Sequence, residues 1–403
     1  MKTPPTVLVM YHYLYPDEVV SSIHLTDLCT GLAAKGWRVI GSSCNRGARD
    51  ESKVYRPCSW KGVEFRKSWR PNLRQASAIG RLANAVWMIG AWSLTALNPS
   101  IRPDVVIIGT DPVLSPLVAL VWRTFRPKVK IAHWCFDLYP EAAVAAGIMA
   151  EESLLVRGIK KMLRGAYRRF DLIADIGECM RGLLQKYGSK ARQLTITPWA
   201  LTEPAEPAPI DLAERQELFG EVSIGLLYSG TFGRAHSWHG VPELAAELRQ
   251  AGGKIAFSVQ GNAVDELRHA VAASGAAISF HGFAPSHLLA RRLCAADVHI
   301  VSLREEWTGT VVPSKFFGAL AIGRPVLFLG SRGSAIARWI EEFNVGWVLD
   351  GSNNNAIVQK MVEELSAAEK KVLLFKRCHA AYFQSFSLAK GLERWDRGLR
   401  GLF

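Results

Sequence analysis

Two stretches in the second half of this 403-residue chain put cations beside backbone amides that a ligand can reach. The segment YSGTFGRAHSWHG, Tyr228 to Gly240, leaves an apolar run through Gly230 and Gly233 and arrives at Arg234. Glycines there allow close approach of the main chain, and an arginine fork matches the oxygens of a phosphate. Further on, VVPSKFFGALAIGRP carries Val312, Pro313, Ser314 and Lys315 into a short apolar helix that stops at Gly323. Proline suits a first helical turn, serine suits its cap, and the helix's positive end adds to the lysine charge. Arg234 and Lys315 together can hold a pyrophosphate. In the first half, HWCFDLYPE brings His133, Asp137 and Glu141 to the end of a strand, where a histidine and a carboxylate can orient a hydroxyl or relay its proton. His24, just after Ser21 and Ser22, has a similar place behind the first strand. Each feature also has a bland reading: a glycine turn with a solvated arginine, a core histidine, a carboxylate that only caps a helix.

The elements that must position these residues alternate between strand and helix. TVLVMY (Thr6 to Tyr11), WRVIGSS (Trp37 to Ser43), DVVIIG (Asp104 to Gly109), KIAHWC (Lys130 to Cys135) and LIADIG (Leu172 to Gly177) read as buried strands. Helix-period segments separate them, the first of which, Ile23 to Ala34, closes at Gly36. Four prolines, Pro198, Pro204, Pro207 and Pro209, then mark a boundary. After them the pattern restarts in IGLLYSG (Ile224 to Gly230), KIAFSVQG (Lys254 to Gly261), AISFHG (Ala277 to Gly282), DVHIVSL (Asp297 to Leu303), PVLFLG (Pro325 to Gly330) and GWVLD (Gly346 to Asp350). Short apolar strands between helices predict parallel sheets covered on both faces. The fold class expected is α/β, with two Rossmann-like doubly wound domains, residues 1–202 and 203–380, facing across a cleft. The apolar helical pattern of residues 381–403 is expected to return to the first domain.

Net charge is +13, and all of it lies in residues 1–200, which hold 28 Lys and Arg against 15 Asp and Glu. Clusters at Arg66, Lys67, Arg70 and Arg74, at Arg123, Arg126, Lys128 and Lys130, and at Lys160, Lys161, Arg164, Arg168 and Arg169 suit an anionic membrane surface. No nucleic-acid recognition motif accompanies the charge, so no nucleic-acid partner is expected. Seven cysteines without CxxC spacing point to reduced thiols. The first residues lack a signal-peptide pattern, and a cytoplasmic, peripherally bound chain is expected. Ala78 to Leu97 is about the length of a spanning helix but carries Arg81 and Asn84, which favours a buried or surface-lying helix. There is no P-loop, GxGxxG turn, HExxH, GxSxG or acidic metal pair.

In their order and spacing, YHYLYPDE, HWCFDLYPE, YSGTFGRAH, FHGF, AADVHIVSL and VVPSKFFGALAIGRP resemble the GT-B glycosyltransferases of family 4, in the branch that builds bacterial surface polysaccharides and lipid-linked oligosaccharides. The resemblance covers nearly the whole chain. It implies a UDP- or GDP-sugar donor bound by the second domain, with Arg234 and Lys315 on the diphosphate. The backbone of Gly230, Gly233 and Val312 to Ser314 would lie beside them, and Gly261, Asn262, His281, Gly282 and Phe283 would frame the base. It implies a lipid-linked or glycan acceptor on the first domain, near Ser21, Ser22, His24, His133, Asp137 and Glu141. It also implies transfer with retention, without a metal or other cofactor. Three positions depart from the pattern: His239 stands where many members have lysine, and Thr310 and Gly318 stand where the familiar members carry glutamates. Glu305 or Glu306 becomes the expected ribose contact. The same departures keep open a catalytically silent scaffold that binds sugar nucleotides or glycans.

Overall fold

The computed structural model describes residues 4–75, 77–276, 278–285 and 287–403. The chain divides into two compact units, Met1–Thr197 with Gly391–Phe403, and Pro198–Lys390.

In the first unit the strands are β1 (Thr6–Met10), β2 (Arg38–Cys44), β3 (Cys58–Trp60), β4 (Val63–Ser68), β5 (Val105–Gly109), β6 (Lys130–Trp134), β7 (Leu172–Asp175) and β8 (Arg192–Thr195). Among the described residues they form one sheet in the order β3-β4-β2-β1-β5-β6-β7-β8. All neighbours are parallel except β3 and β4, which form a hairpin. Lys61 and Gly62 turn that hairpin with φ of 45° and 77°, the left-handed backbone that two-residue hairpins require. The sequence pattern missed β3, β4 and β8 because their residues alternate with charge rather than forming apolar runs. In the central strands every residue of β1 and β5 is buried, as a sheet covered on both faces demands. The order reverses between β1 and β5, so their carboxyl ends open a crevice.

The second unit repeats the plan with β9 (Ile224–Thr231), β10 (Gly253–Gln260), β11 (Ile278–His281), β12 (Val298–Ser302), β13 (Val326–Leu329) and β14 (Gly346–Leu349). Their order is β11-β10-β9-β12-β13-β14, all parallel, with the reversal between β9 and β12. Ala277, expected to begin a strand, lies outside the described residues. Asp297 ties the amino end of β12 into the sheet: it accepts from the Gly225 N–H (2.7 Å) and pairs with Arg215 (2.8 Å) and Lys371.

The unit boundaries fall five residues before the expected 202/203 division and ten after 380/381, for a visible reason. Glu203 accepts from the Tyr382 hydroxyl (2.5 Å) and the Leu388 N–H (2.7 Å), and Tyr382 accepts from the Ala200 N–H (2.8 Å). These contacts hold both crossing strands of chain to the second unit. Beyond them, the helix Leu388–Arg400 lays Trp395, fully buried, edge-on against Trp134 at 5.4 Å. Asp396 on the same helix accepts from the Trp37 indole (2.7 Å).

Substituting Trp395→Ala empties the centre of this helix's contact with the first sheet. We expect a loss of about 3–5 kcal/mol in unfolding free energy. Urea melts followed by far-UV dichroism measure it, and a loss below about 1 kcal/mol would contradict the placement.

Candidate functional site

In the second unit the site is assembled at the reversal point. Gly230 is the next-to-last residue of β9, and its φ of 125° is open to glycine and strained for other residues. A Cβ there would stand 2.8 Å from Lys315 Cε, so the glycine lets the lysine stem lie directly on the main chain. Lys315 opens the helix Lys315–Ala321 and donates from Nζ to the Thr231 carbonyl (3.0 Å), with the ammonium 5.1 Å from the centre of the Tyr228 ring. Burial lowers its pKa to about 8. Behind it, Phe316, Phe317, Trp339 and Phe386 pack ring against ring at 5.2 to 5.8 Å and fix the helix on the unit. Gly323 then turns the chain with φ of 77°, under Pro207. Ser314 sits at the cap position with helical dihedrals and no side-chain cap bond, so its hydroxyl is not used as the sequence pattern predicts. Val312 and Pro313 are buried beneath it.

Arg234 is exposed, and no hydrogen bond or ion pair engages its guanidinium among the described residues. Gly233 faces the neighbouring turn: a Cβ there would meet Asn262 Oδ1 at 3.6 Å. Gly261, φ 136°, presses on the Phe232 main chain so closely that a Cβ would be 2.4 Å from its carbonyl oxygen. The turns after β9 and β10 thus form one continuous rim. His236 bonds through Nδ1 to the Ser302 carbonyl (2.8 Å), and burial and the Lys315 charge depress its pKa to about 3, which keeps it neutral. At the end of β11, His281 is half-buried with its pKa lowered by burial and Arg292, the Gly282 carbonyl accepts from Ser258 (2.8 Å), and Phe283 is exposed.

Glu305 and Glu306 lie exposed on the short 3-10 turn Glu305–Trp307. Glu305 borders a cavity of about 610 Å³ with His239, Arg304, Ser331, Arg332 and Asp350, at the carboxyl ends of β12 to β14. Neither Arg234 nor Lys315 lines it, so the cavity stands beside the two cations. Thr310 is buried and its hydroxyl donates to the Trp307 carbonyl (2.9 Å). Around Gly318 a Cβ would meet nothing within 4 Å. Among the described residues no group of three or more His, Cys, Asp and Glu gathers as a metal site.

In the first unit the sequence-predicted residues separate. His133 is fully buried within β6, bonded through Nδ1 to the Ile108 carbonyl (2.8 Å) and packed on Tyr167 and Phe170. Burial lowers its pKa to about 4, and it is a core histidine rather than a cleft base. His24 is likewise buried, with a pKa lowered to about 4, its ring 6.3 Å from that of Phe136. Ser22 donates to the Asp17 carbonyl (3.0 Å) and Glu141 accepts from the Tyr187 hydroxyl (2.7 Å), both structural contacts. Ser21 is half-buried. Asp137 does stand past the end of β6, where burial and the charge of Asp111 raise its pKa to about 6.

Sequence reasoning missed Asp111 and His12. They follow β5 and β1, the two strands at the reversal, and His12 Nδ1 meets Asp111 Oδ1 at 3.2 Å. Burial opposes protonation of His12, but the Asp111 charge and hydrogen bond outweigh it and lift the ring to about 9. Strand order is the signal that finds this pair, and it is not visible before the sheet is assembled.

No family model matches the chain. A search of curated proteins finds a probable glycosyltransferase, WbjE of Pseudomonas aeruginosa, 27% identical over 275 residues, a match spanning 66% of this chain and 66% of that protein. Among solved structures, the sucrose-phosphate synthase of Thermosynechococcus elongatus superposes with a TM-score of 0.73 at 16% identity, covering 99% of each chain. HepE of Anabaena, solved with UDP and glucose, gives 0.66 at 12% identity over 98% of this chain and 100% of its own. WaaG, a glycosyltransferase of lipopolysaccharide biosynthesis, gives 0.63 at 15% identity over 97% and 98%. The fold is that of the GT-B glycosyltransferases. Within this GT-B chain, the Lys315 helix and the Gly230 turn occupy the reversal point of one sheet, and the His12–Asp111 pair occupies that of the other.

Lys315 carries a testable electrostatic signature. Burial disfavours its charged form in the folded state, so it costs stability below about pH 8, where folded and unfolded chains are both protonated. That cost fades as pH rises from about 8 toward the ordinary 10.5, because the folded lysine is by then neutral. A Lys315→Met variant is therefore expected to unfold at higher denaturant than the parent at pH 7, with the difference shrinking by pH 9.5. Equal or growing differences across that range would argue against a desolvated ammonium.

Proposed function

We propose that this chain is a glycosyltransferase that moves a sugar from a UDP- or GDP-sugar to a lipid-linked or glycan acceptor in surface-polysaccharide synthesis. The observation that carries the reading is the pairing, at one reversal point, of Lys315 laid on Gly230 with the unengaged guanidinium of Arg234. A lysine held on the main chain and an exposed, unengaged arginine suit the two phosphates of a nucleotide diphosphate. The rim made by Gly233, Gly261 and Asn262, with His281 to Phe283 beyond it, suits the base. Glu305 is the ribose or sugar contact we assign, since Thr310 is tied to Trp307 and Gly318 has no side chain. The UDP and glucose in HepE and the glycosyltransferase names of WbjE and WaaG support the same class of chemistry.

In the transfer step the bond between the sugar's anomeric carbon and the diphosphate oxygen breaks, and the bond from the acceptor oxygen to that carbon forms. The departing diphosphate takes the electron pair, and Arg234 and Lys315 neutralise it. The acceptor proton passes to the departing phosphate oxygen on the same face, which gives retention without a metal. Asp137 and Asp111 orient the acceptor hydroxyl.

The surface of the first unit supports a docked chain. The helices Ala78–Thr95, Val118–Phe125 and Leu154–Tyr167 pack in sequence, the middle one against both others. They expose Ile79, Leu82, Val86, Trp87 and Leu94, then Phe125, then Leu154, Leu155 and Met162. Arg157, Lys161 and Arg164 are exposed on the third helix. Among the described residues no helix is long and apolar enough to cross a membrane. Apolar side chains interspersed with cations suit the interface of an anionic leaflet. Of the cluster at Arg66 to Arg74, Arg66 pairs with Glu64 (2.7 Å), Lys67 donates to the Tyr15 carbonyl (2.6 Å) and Ser43 (2.9 Å), and Arg70 is buried, whereas Arg74 is exposed just before the first of these helices.

Arg234→Ala and Lys315→Ala are each expected to lower turnover of a nucleotide sugar by about two to three orders of magnitude, with the fold intact by circular dichroism. Release of UDP or GDP from a panel of donors, with and without a polyprenyl-diphosphate sugar, checks this, and unchanged turnover in both variants would remove the phosphate site. For the surface, Leu82→Asp with Val86→Asp should leave the chain in the supernatant when anionic liposomes are pelleted. The parent should pellet with them and come off in high salt. Equal pelleting with neutral and anionic liposomes would refute the electrostatic docking.

A further inference from the structure

Arg70 follows β4 at the same sheet edge as His12, Cys44 and Asp111, and its side chain is fully buried. Its main chain is held: the N–H donates to Asn45 Oδ1 (2.9 Å) and the carbonyl accepts from Arg46 Nε (3.4 Å). Its guanidinium is not. None of the three nitrogens has a hydrogen-bond partner among the described residues. The carboxylates of Asp111, Glu51 and Glu64 are engaged elsewhere, with His12, the Gln75 N–H (2.7 Å) and Arg66. A guanidinium withdrawn from water and left unpaired is strongly unfavourable, and folds keep such groups where a ligand completes them.

The surroundings point the same way. Tyr13 lies within reach of the Arg70 charge, stacks on the His12 ring with centroids 4.2 Å apart, and accepts from Gln75 Nε2 (3.1 Å). His12 gives Nδ1 to Asp111 and leaves Nε2 buried without a partner. Two cationic or cation-capable groups are thus disposed about one tyrosine, on the ligand edge of a doubly wound sheet. The segment Trp69–Arg74, which carries Arg70, has no regular ladder or helix and is held by side chains instead, with the Trp87 indole donating to the Trp69 carbonyl (2.7 Å) and the Asn84 amide to the Leu73 carbonyl (2.7 Å).

We propose that Arg70, with His12 beside Tyr13, forms an oxyanion-binding site in the first unit that takes a phosphoryl or carboxylate group of the acceptor. The assignment of this anion to the acceptor rests on the glycosyltransferase reading; the anion site itself does not. A guanidinium fork grips either oxyanion bidentately. The acceptor class it selects is therefore an acidic one, either a phosphate-bearing lipid or glycan or a uronic-acid sugar.

The test uses the full chain carrying Arg234→Ala and Lys315→Ala, so that the proposed donor phosphate grip is absent. Thermal unfolding is followed while pyrophosphate, geranyl diphosphate or methyl glucuronide is added. At least one probe is expected to raise the melting temperature in a saturable way. A response to pyrophosphate assigns a phosphoryl group, to geranyl diphosphate alone a lipid-borne one, and to the glucuronide a carboxylate. Adding Arg70→Met should leave the probe-free melting temperature equal or higher, because an unpaired buried charge is gone, and should abolish the response. Arg70→Lys keeps the charge but loses the fork, and should weaken binding by about tenfold; it decides the matter if the methionine variant does not fold. Failure of every probe to shift the melting temperature, or an undiminished response in both Arg70 variants, overturns the site. UDP binding to the unsubstituted chain, and its loss on removing Arg234 and Lys315, reports on the donor reading separately.

Discussion

A lysine ammonium kept partly away from water has to be held there by the fold, and the site of the second unit depends on that constraint. Lys315 can lie along the end of β9 only because position 230 has no Cβ and accepts a φ of 125°. It stays there because Phe316 and Phe317, next along the helix, are locked into an aromatic layer with Trp339 and Phe386. The Thr231 carbonyl and the Tyr228 face replace part of its lost hydration. Apolar packing on one side of a short helix thus sets the position of a charge on the other. The lowered pKa of Lys315 and the neutral state of His236 are two consequences of the same burial.

The first unit meets the opposite problem. Its central crevice holds a histidine and an aspartate that pair through Nδ1, which raises His12 against its burial, while burial and the nearby charge of Asp111 push Asp137 upward. One carboxylate therefore influences two titrating neighbours with opposite sense, stabilising a cation and opposing an anion. Arg70 adds a third charge that nothing internal neutralises. Polar groups in this state are rare in well-packed cores, and their clustering at a sheet's ligand edge is what separates a site from a structural network.

Much of the architecture was legible from pattern alone. Buried parallel strands announce themselves as short apolar runs, and β1, β2, β5, β6, β7 and all six strands of the second unit lie within about a residue or two of where those runs stand. Gly36 and Gly323 end their helices with φ of 86° and 77° as left-handed stops. β3, β4 and β8 escaped because none of them carries such a run, whereas the edge strands β11 and β14 do. Of the basic cluster at Arg66 to Arg74, Lys67 and Arg70 turn inward at and just past the end of β4 instead of standing in solvent, while Arg74 is exposed.

Residue types and spacing by themselves determined the fold class, the two glycine-rich turns and the Pro-Ser-Lys helix start, because each rests on a local rule of dihedral angle, capping or period. Tertiary structure alone decided which polar residues come to the carboxyl edge of a sheet. His133 and Asp137 are four positions apart, yet one is sealed in the sheet and the other emerges past its edge. His12 and Asp111 are 99 positions apart and touch. Such pairings depend on strand order, and strand order is set by how whole faces of helix and sheet bury one another rather than by any short stretch of chain.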